Sequence, residues 1–368
     1  MIPVPPAIQR IPWKLIALLS AITGFGLLVL YSAAGGNASP WALQQGTRFA
    51  IFLTMALAIG RIPLRFFEDF SYLGYLGVAV LLVAVELLGF VGGGSQRWLN
   101  LGFMNLQPSE LMKVAIVLAL ARFYTQLPPG ETRSWTALWP ALVMIGIPAA
   151  LVMLQPDLGT ALAICASGAI VMFVAGLPLW WFGSAVIAGA AALPILFSML
   201  HDYQQKRVLI FLDPESDPLG AGYHISQSKI AIGSGGISGK GFLNGSQSHL
   251  DYLPEGHTDF IFATMSEEWG LVGGLLLLLG FFFLLRWSTR VALNARTRFG
   301  QLTATGLTMT IFFYIAINLG MVMGLAPVVG IPLPLFSYGG SSMLTIMTCV
   351  GIILAIENDS KKRHSRLS

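Results

Sequence analysis

Residues 158–200 read LGTALAICASGAIVMFVAGLPLWWFGSAVIAGAAALPILFSML, a run without one Asp, Glu, Lys or Arg. An apolar helix crosses the hydrocarbon of a bilayer in about 20 residues. The run is about twice that length, and Gly176-Leu177-Pro178 in its middle marks a turn. It therefore predicts two spanning helices joined by a hairpin, which a water-soluble fold has no means of covering. The rest of the chain agrees. Hydrophobic residues make up 55% of the 368 residues and charged residues only 10%, where a soluble chain carries about 25% charged. The mean hydropathy is +0.74. Disorder is excluded by the same hydrophobicity, and the net charge of +4 does not point to a nucleic-acid partner, since the charges are so sparse.

Outward from that hairpin, further charge-poor segments predict spans at 15–34, 42–60 (with Arg48 inside), 70–91 (with Glu86), roughly 106–123 (with Glu110 and Lys113), 136–155 and 262–285. Residues 299–356 are uncharged and long enough for two helices, leaving Pro327 to Ser342 over. That Pro-, Gly- and Ser-rich remainder predicts an irregular stretch, with Ser337–Ser342 broken or re-entrant. The reading is an all-α polytopic membrane protein of about ten transmembrane helices forming a single domain over 1–368. Lys14 is followed by an apolar stretch of 20 residues, longer than the roughly 7–15 of a cleavable signal, and is read as opening the first span. Cys165 and Cys349 lie in apolar runs at no metal-binding spacing and read as packing residues.

Positive charge orients the bundle. With the N-terminus in the cytoplasm, 14 of the 21 basic residues fall inside, both termini included. The other seven, Arg48, Arg97, Lys113, Lys206, Arg207, Lys229 and Lys240, fall on or near the outer face. So does the one long loop, 201–259, which holds four of the five histidines and seven of the 17 acids. The polar chemistry is thus expected at the outer surface of the cytoplasmic (inner) membrane.

Local motifs leave alternatives open. Glu110 and Lys113 stand three apart and share a helix face; they read either as a paired charge near a helix end or as the wall of a polar cavity, charge inside a bilayer being costly. Arg48 reads as an interfacial anchor or as an anion ligand facing the same cavity. Arg97-Trp98 follows the run Gly92-Gly93-Gly94 and suits an interfacial anchor. Glu86 has no assignable role. The run Ile232 to Gly241 fails as a phosphate loop, because Ser234 stands where that motif needs Gly and Gly241 where it needs Ser or Thr. His201, His224, His249 and His257 show no metal spacing. In Leu253-Pro254-Glu255-Gly256-His257-Thr258-Asp259-Phe260, Thr258 or Asp259 reads locally as a helix cap. The same stretch sets a carboxylate among outer-face cations, where it suits a general base beside a phosphate.

Three segments together resemble the SEDS family (shape, elongation, division and sporulation) of peptidoglycan glycosyltransferases. The first is Gln107-Pro108-Ser109-Glu110 with Lys113. The second runs from Arg207 through Phe211-Leu212-Asp213-Pro214, Gly222-Tyr223-His224 and Gln227 to Gly233, then Leu253-Pro254-Glu255 and His257 to Ala263. The third is Asn318 to Ser342, with Gly324, Pro327, Gly330 and Ser337-Tyr338-Gly339-Gly340-Ser341-Ser342. Gln227-Ser228-Lys229, Gly239-Lys240-Gly241 and Gly245-Ser246-Gln247-Ser248 are similar to its rod-shape members rather than its division members. Gly256, where some relatives carry Arg or Ala, is a departure.

The resemblance implies polymerisation of lipid II, a disaccharide-peptide on undecaprenyl diphosphate, into β-1,4 glycan strands during cell elongation. It implies Asp259 as the catalytic base, with Glu110 and Lys113, the family's pair on the fourth helix, and Arg48, Arg97, Arg207, Lys229 and Lys240 as substrate-binding residues. It also implies a class B penicillin-binding protein as transpeptidase partner, with other elongation-complex proteins. Mg2+ or Mn2+ accompanying the substrate diphosphate is compatible with this chemistry, although no protein ligand set is readable. The competing readings are a lipid II flippase, which would want polar groups through its midplane and internal repeats, and a scaffold without chemistry.

Overall fold

The structure is a computed structural model that describes residues 12–364 except 93–94, 101–104, 129, 156, 200–204, 206–208, 211–212, 214–216, 218–219, 251 and 254. In chain order the described helices are α1 (Trp13–Ala33), α2 (Trp41–Ile59), α3 (Leu64–Leu88), α4 (Pro108–Gln126), α5 (Trp135–Leu154), α6 (Leu158–Ala175), α7 (Leu179–Met199), α8 (Ala221–Gly235), α9 (Ser246–His249), α10 (Ile261–Asn294), α11 (Arg298–Val322) and α12 (Gly340–His364). All ten charge-poor segments are helical. Eight of the described helices are long and apolar enough to cross a membrane. The hairpin in 158–200 turns where expected, with Gly176 left-handed at φ 102° closing α6.

The bundle is built around α4. Met112, Ile116, Ala119, Leu120, Ala121 and Tyr124 are fully enclosed, and α3, α6 and α11 pack on it. A helix buried all round must pair whatever charge it carries. The periphery shows the opposite pattern: Ile51, Leu73, Leu76, Val80, Val186 and Ile187 are exposed, as side chains facing lipid should be.

Four expectations are corrected. The Gly-rich connection before α4 is a small antiparallel sheet of β1 (Phe90–Gly92), β2 (Ser95–Asn100) and β3 (Asn105–Leu106) in the order β1-β2-β3. The connection 201–259 contains helices: α8 packs against α10, and its polar residues hid a helix that sits on other protein rather than in lipid. α10 runs nine residues past the expected end, since Arg286 and Arg290 end the apolar stretch but not the helical hydrogen bonding. α12 begins at Gly340, so Gly340–Ser342 form its first turn and the irregular stretch covers 323–339.

The glycines of 232–241 have a structural purpose. α10 is kinked at Gly270, whose φ of 60° and ψ of −157° break the helix. The kink frees backbone groups, and the chain after α8 takes them up. Lys240 and Gly241 donate to the carbonyls of Glu267 and Glu268, at 2.9 and 3.0 Å, while Leu271 and Val272 donate to Gly236 and Ile237, at 2.9 and 3.1 Å. Backbones this close leave no room for side chains. A Cβ on Gly239 would lie 2.0 Å from the Glu268 carbonyl oxygen, and one on Gly235 1.9 Å from that of Ser266. The Glu267 carboxylate completes the join: it is buried and accepts from Lys240 Nζ at 2.6 Å, Ser246 Oγ at 3.1 Å and the Gln247 amide at 3.0 Å.

Gly239 is also left-handed, at φ 80°, a conformation costing a side-chain-bearing residue about 1–3 kcal/mol before any clash. Gly239→Ala is therefore expected to lower the thermal unfolding midpoint in detergent markedly. Gly233→Ala, in α8 with open space around it, should leave the midpoint unchanged or raise it slightly, since Ala favours the helix by about 0.5–1 kcal/mol.

Candidate active site

The stretch 323–339 between α11 and α12 is coil, yet Ile331, Leu333, Leu335, Phe336 and Ser337 in it are buried. Coil backbone inside apolar protein needs hydrogen-bond partners from elsewhere. Asn318 of α11 donates from Nδ2 to the Ile331 carbonyl at 2.7 Å and to the Asp259 carbonyl at 2.8 Å. Gln45 of α2 donates to the Ser337 carbonyl at 2.6 Å and accepts from the Gly339 amide at 3.3 Å. The Tyr338 amide donates to the His257 carbonyl at 3.0 Å. The Gln107 amide donates to Ser341 Oγ at 3.3 Å, and that hydroxyl donates to the Asn105 carbonyl at 2.9 Å. The coil and the first turn of α12 are thus the meeting point of α2, α11, the turn before α10 and the start of α4.

Asp259 lies in that turn. Its side chain lies beside the coil: a Cβ on Gly330 would sit 3.6 Å from Asp259 Oδ2. The N-cap position of α10 is Phe260, whose side chain makes no capping bond, and Thr258 Oγ1 bonds Glu255. One face of α2, at the spacing 41, 45, 48, meets the same region. Trp41 stacks on His257 with ring centroids 4.0 Å apart, and the Arg48 guanidinium carbon lies 4.7 Å from the Tyr338 ring centroid. Arg48 also borders the start of α12: its Nε is 3.6 Å from where a Cβ on Gly340 would stand.

Glu110 and Lys113 are a buried pair. Lys113 is fully enclosed, and its Nζ lies 2.7 Å from Glu110 Oε1 and 2.6 Å from Tyr314 Oη. Tyr314 Oη in turn donates to Glu110 Oε2. Tyr314 and Asn318 stand four apart on α11, about 6 Å between neighbours on one face. One helical turn therefore separates the buried triad from the residue that holds both Asp259 and the coil.

The remaining candidates are placed differently. Arg97 on β2 donates to the Gln155 carbonyl at 3.1 Å and lies 3.6 Å from Asp157, which also accepts from Gln107 Nε2 at 3.1 Å. Lys229 is exposed on α8, with its side chain against Gly324 at the start of the coil. Lys240 is engaged by Glu267. Arg207 lies outside the described residues. Glu86 is exposed near the end of α3. Among the described residues no three His, Cys, Asp or Glu side chains group as metal ligands.

The cell cycle protein family FtsW/RodA/SpoVE matches residues 12–362. The chain belongs to the FtsW/RodA/SpoVE family. It is 45% identical over 350 residues to the peptidoglycan glycosyltransferase MrdB of Escherichia coli strain K12, covering 94% of this chain and 93% of that protein. It is 39% identical over 322 residues to MrdB of Helicobacter pylori, covering 85% and 82%. Among solved structures, a chain of a peptidoglycan synthase complex that coordinates polymerization and crosslinking superposes with a TM-score of 0.79 at 32% identity, over 95% of this chain and 98% of that one. The rod shape determining protein RodA of Thermus thermophilus superposes at 0.71 with 29% identity, over 94% and 96%.

Sequence reasoning missed Tyr314, Gln45 and Asp157, which the structure sets against these candidate residues and the coil. An aromatic in an uncharged run gives no polar signal, and Gln45 stands out only once the coil it serves is seen.

Removing one member of a buried ion pair strands the other charge, at a cost of about 3–5 kcal/mol. Glu110→Gln and Lys113→Met should each lower the unfolding midpoint strongly, and the double variant should recover part of the loss, measured as a double-mutant cycle. Burial, opposed by the Glu255 carboxylate, holds His257 below the ordinary histidine value. The unfolded chain then takes up that proton first, so stability is steady above about pH 6.5 and falls as the pH drops below it. His257→Phe keeps a ring against Trp41 and should flatten that acid slope in unfolding measured between pH 7 and 5.

Proposed function

We propose that this chain polymerises lipid II into β-1,4 glycan strands as a peptidoglycan glycosyltransferase of cell elongation. The observation that carries the reading is the setting of Asp259, a carboxylate in a turn held by Asn318, which stands one helical turn from Tyr314 of the buried Glu110–Lys113–Tyr314 triad. The activity in the names of its MrdB relatives supports it.

In this mechanism the Asp259 carboxylate takes the proton of the acceptor sugar's 4-hydroxyl as that oxygen attacks the donor's anomeric carbon. The bond to undecaprenyl diphosphate breaks, the diphosphate leaves with the electron pair, and configuration inverts. Arg48 and the first turn of α12, whose leading amides have no helical acceptor, suit the negative charge that develops. Glu110, Lys113 and Tyr314 are positioning residues: they lock α4 to α11 and so hold Asn318 beside Asp259. A lipid-linked donor fits a site without nucleotide sugars, on the outer face of the cytoplasmic membrane with both termini inside. The likeness to a chain from a synthase complex supports a class B penicillin-binding protein as the crosslinking partner.

Asp259→Asn tests the reading. Asn keeps the size of Asp but cannot take the proton, and a positioned base contributes about 10²–10⁴-fold. Purified variant given lipid II, alone and with the partner, should lose polymer formation by at least about 10²-fold with its unfolding midpoint and lipid II binding retained. Near-normal polymerisation would remove Asp259 as the base. Absence of polymer from the unaltered protein, with and without the partner, would favour the flippase.

A further inference from the structure

The end of the bundle away from Asp259 carries a feature that this reaction does not use. The last turns of α10, the start of α1 and the end of α12 enclose a cavity of about 970 Å³ whose lining includes Trp13, Lys14, Trp287, Arg290, Arg296 and Lys361. A second cavity of about 420 Å³ shares Lys14, Trp287 and Arg290 with it and adds Leu18, Phe283 and Arg286. Together they present five cations, Lys14, Arg286, Arg290, Arg296 and Lys361, against one carboxylate, Glu357.

That carboxylate is already engaged. Glu357 accepts from Lys361 Nζ at 2.6 Å and from Trp287 Nε1 at 3.2 Å. Lys14, Arg286 and Arg290 are exposed and have no ion pair among the described residues. Arg286 and Arg290 stand four apart on α10, where like charges repel each other, and an anion between them would relieve that repulsion.

The position and the floor of the site narrow the ligand. α1 begins at Trp13, 59% exposed, and the apolar stretch of α10 ends just before Arg286. Trp13 and Trp287 therefore mark the level of the lipid headgroups. Below the cations the lining turns apolar, with Leu15, Leu18 and Phe283. A free anion has no use for that floor, whereas a phosphodiester headgroup with its acyl chains matches both layers.

We propose that this is a binding site for an anionic phospholipid, its phosphate held by Lys14, Arg286 and Arg290 and an acyl chain lying along Leu18 and Phe283. The bound lipid ties α1 to α10 at the end opposite the coil.

The test uses the full chain purified in a neutral detergent. Phosphatidylglycerol and phosphatidylcholine with identical acyl chains are compared by native mass spectrometry and by thermal unfolding, with glycerol phosphate as the soluble headgroup. Three lost cations, each contributing about 1 kcal/mol, should weaken phosphatidylglycerol retention by at least about tenfold in the K14Q/R286Q/R290Q variant. The R61Q/R65Q variant, altered at cations that line neither cavity, should retain the lipid as the unaltered protein does. Phosphatidylglycerol, and not phosphatidylcholine, should raise the unfolding midpoint of the unaltered protein. Equal retention of the two lipids by the unaltered protein overturns the proposal whether or not the triple variant folds, as does undiminished phosphatidylglycerol retention by that variant. A full midpoint shift from glycerol phosphate alone would make it a free-anion site and overturn the lipid assignment.

Discussion

The structure depends on one constraint: the second half of the coil between α11 and α12, Ile331 to Ser337, is buried inside an apolar bundle. A buried polar group left without a partner costs about 2–7 kcal/mol, so the coil persists only because side chains from other elements meet its backbone. Asn318 and Gln45 supply most of that service. The side chains that satisfy the coil also fix what surrounds it. Asn318 binds the coil and the Asp259 carbonyl with one amide group, so the coil cannot shift without moving the turn that carries the proposed base.

Charge follows the same logic. In a bundle whose central helix is enclosed on every side, Lys113 is tolerable only with Glu110 and Tyr314 around it. Glu267, equally buried, is matched by Lys240 and a backbone amide, and Glu268 accepts from Ser32 of α1. Each pairing joins elements distant in sequence, and together with the glycine join at Gly270 they fix α8 and the start of α10 beside the coil. The rigidity suits the proposed reaction, which would need two sugars and a diphosphate held in register, since positioning supplies a large part of such rate enhancements.

The spans were legible because the bilayer imposes a local rule: about 20 apolar residues, whatever they touch. The irregular stretch was legible for the same reason, as residues left over once two helices had been drawn. What escaped depends on contacts between distant segments. α8 is polar enough to pass for loop, and only its packing on α10 shows otherwise. The glycines of 232–241 fail a phosphate-loop pattern and reveal their purpose only beside the kink at Gly270. Within the site, Glu110, Lys113, Arg48 and Asp259 stood out as charges where charge is costly. Tyr314 and Gln45 did not, because neither residue type is unusual in a spanning helix. Lys240 and Arg97 stood out equally well, yet the structure engages both with carboxylates of this chain, which the sequence alone could not distinguish from cations kept for substrate.

The most direct measurement of the central claim is an experimental structure of the Asp259→Asn protein with lipid II bound. The expected result is an acceptor 4-hydroxyl within about 2.6–3.2 Å of the residue 259 side chain, and the donor diphosphate against Arg48 and the first turn of α12. Sugars bound away from residue 259, or a diphosphate seated at the opposite end of the bundle, would contradict it.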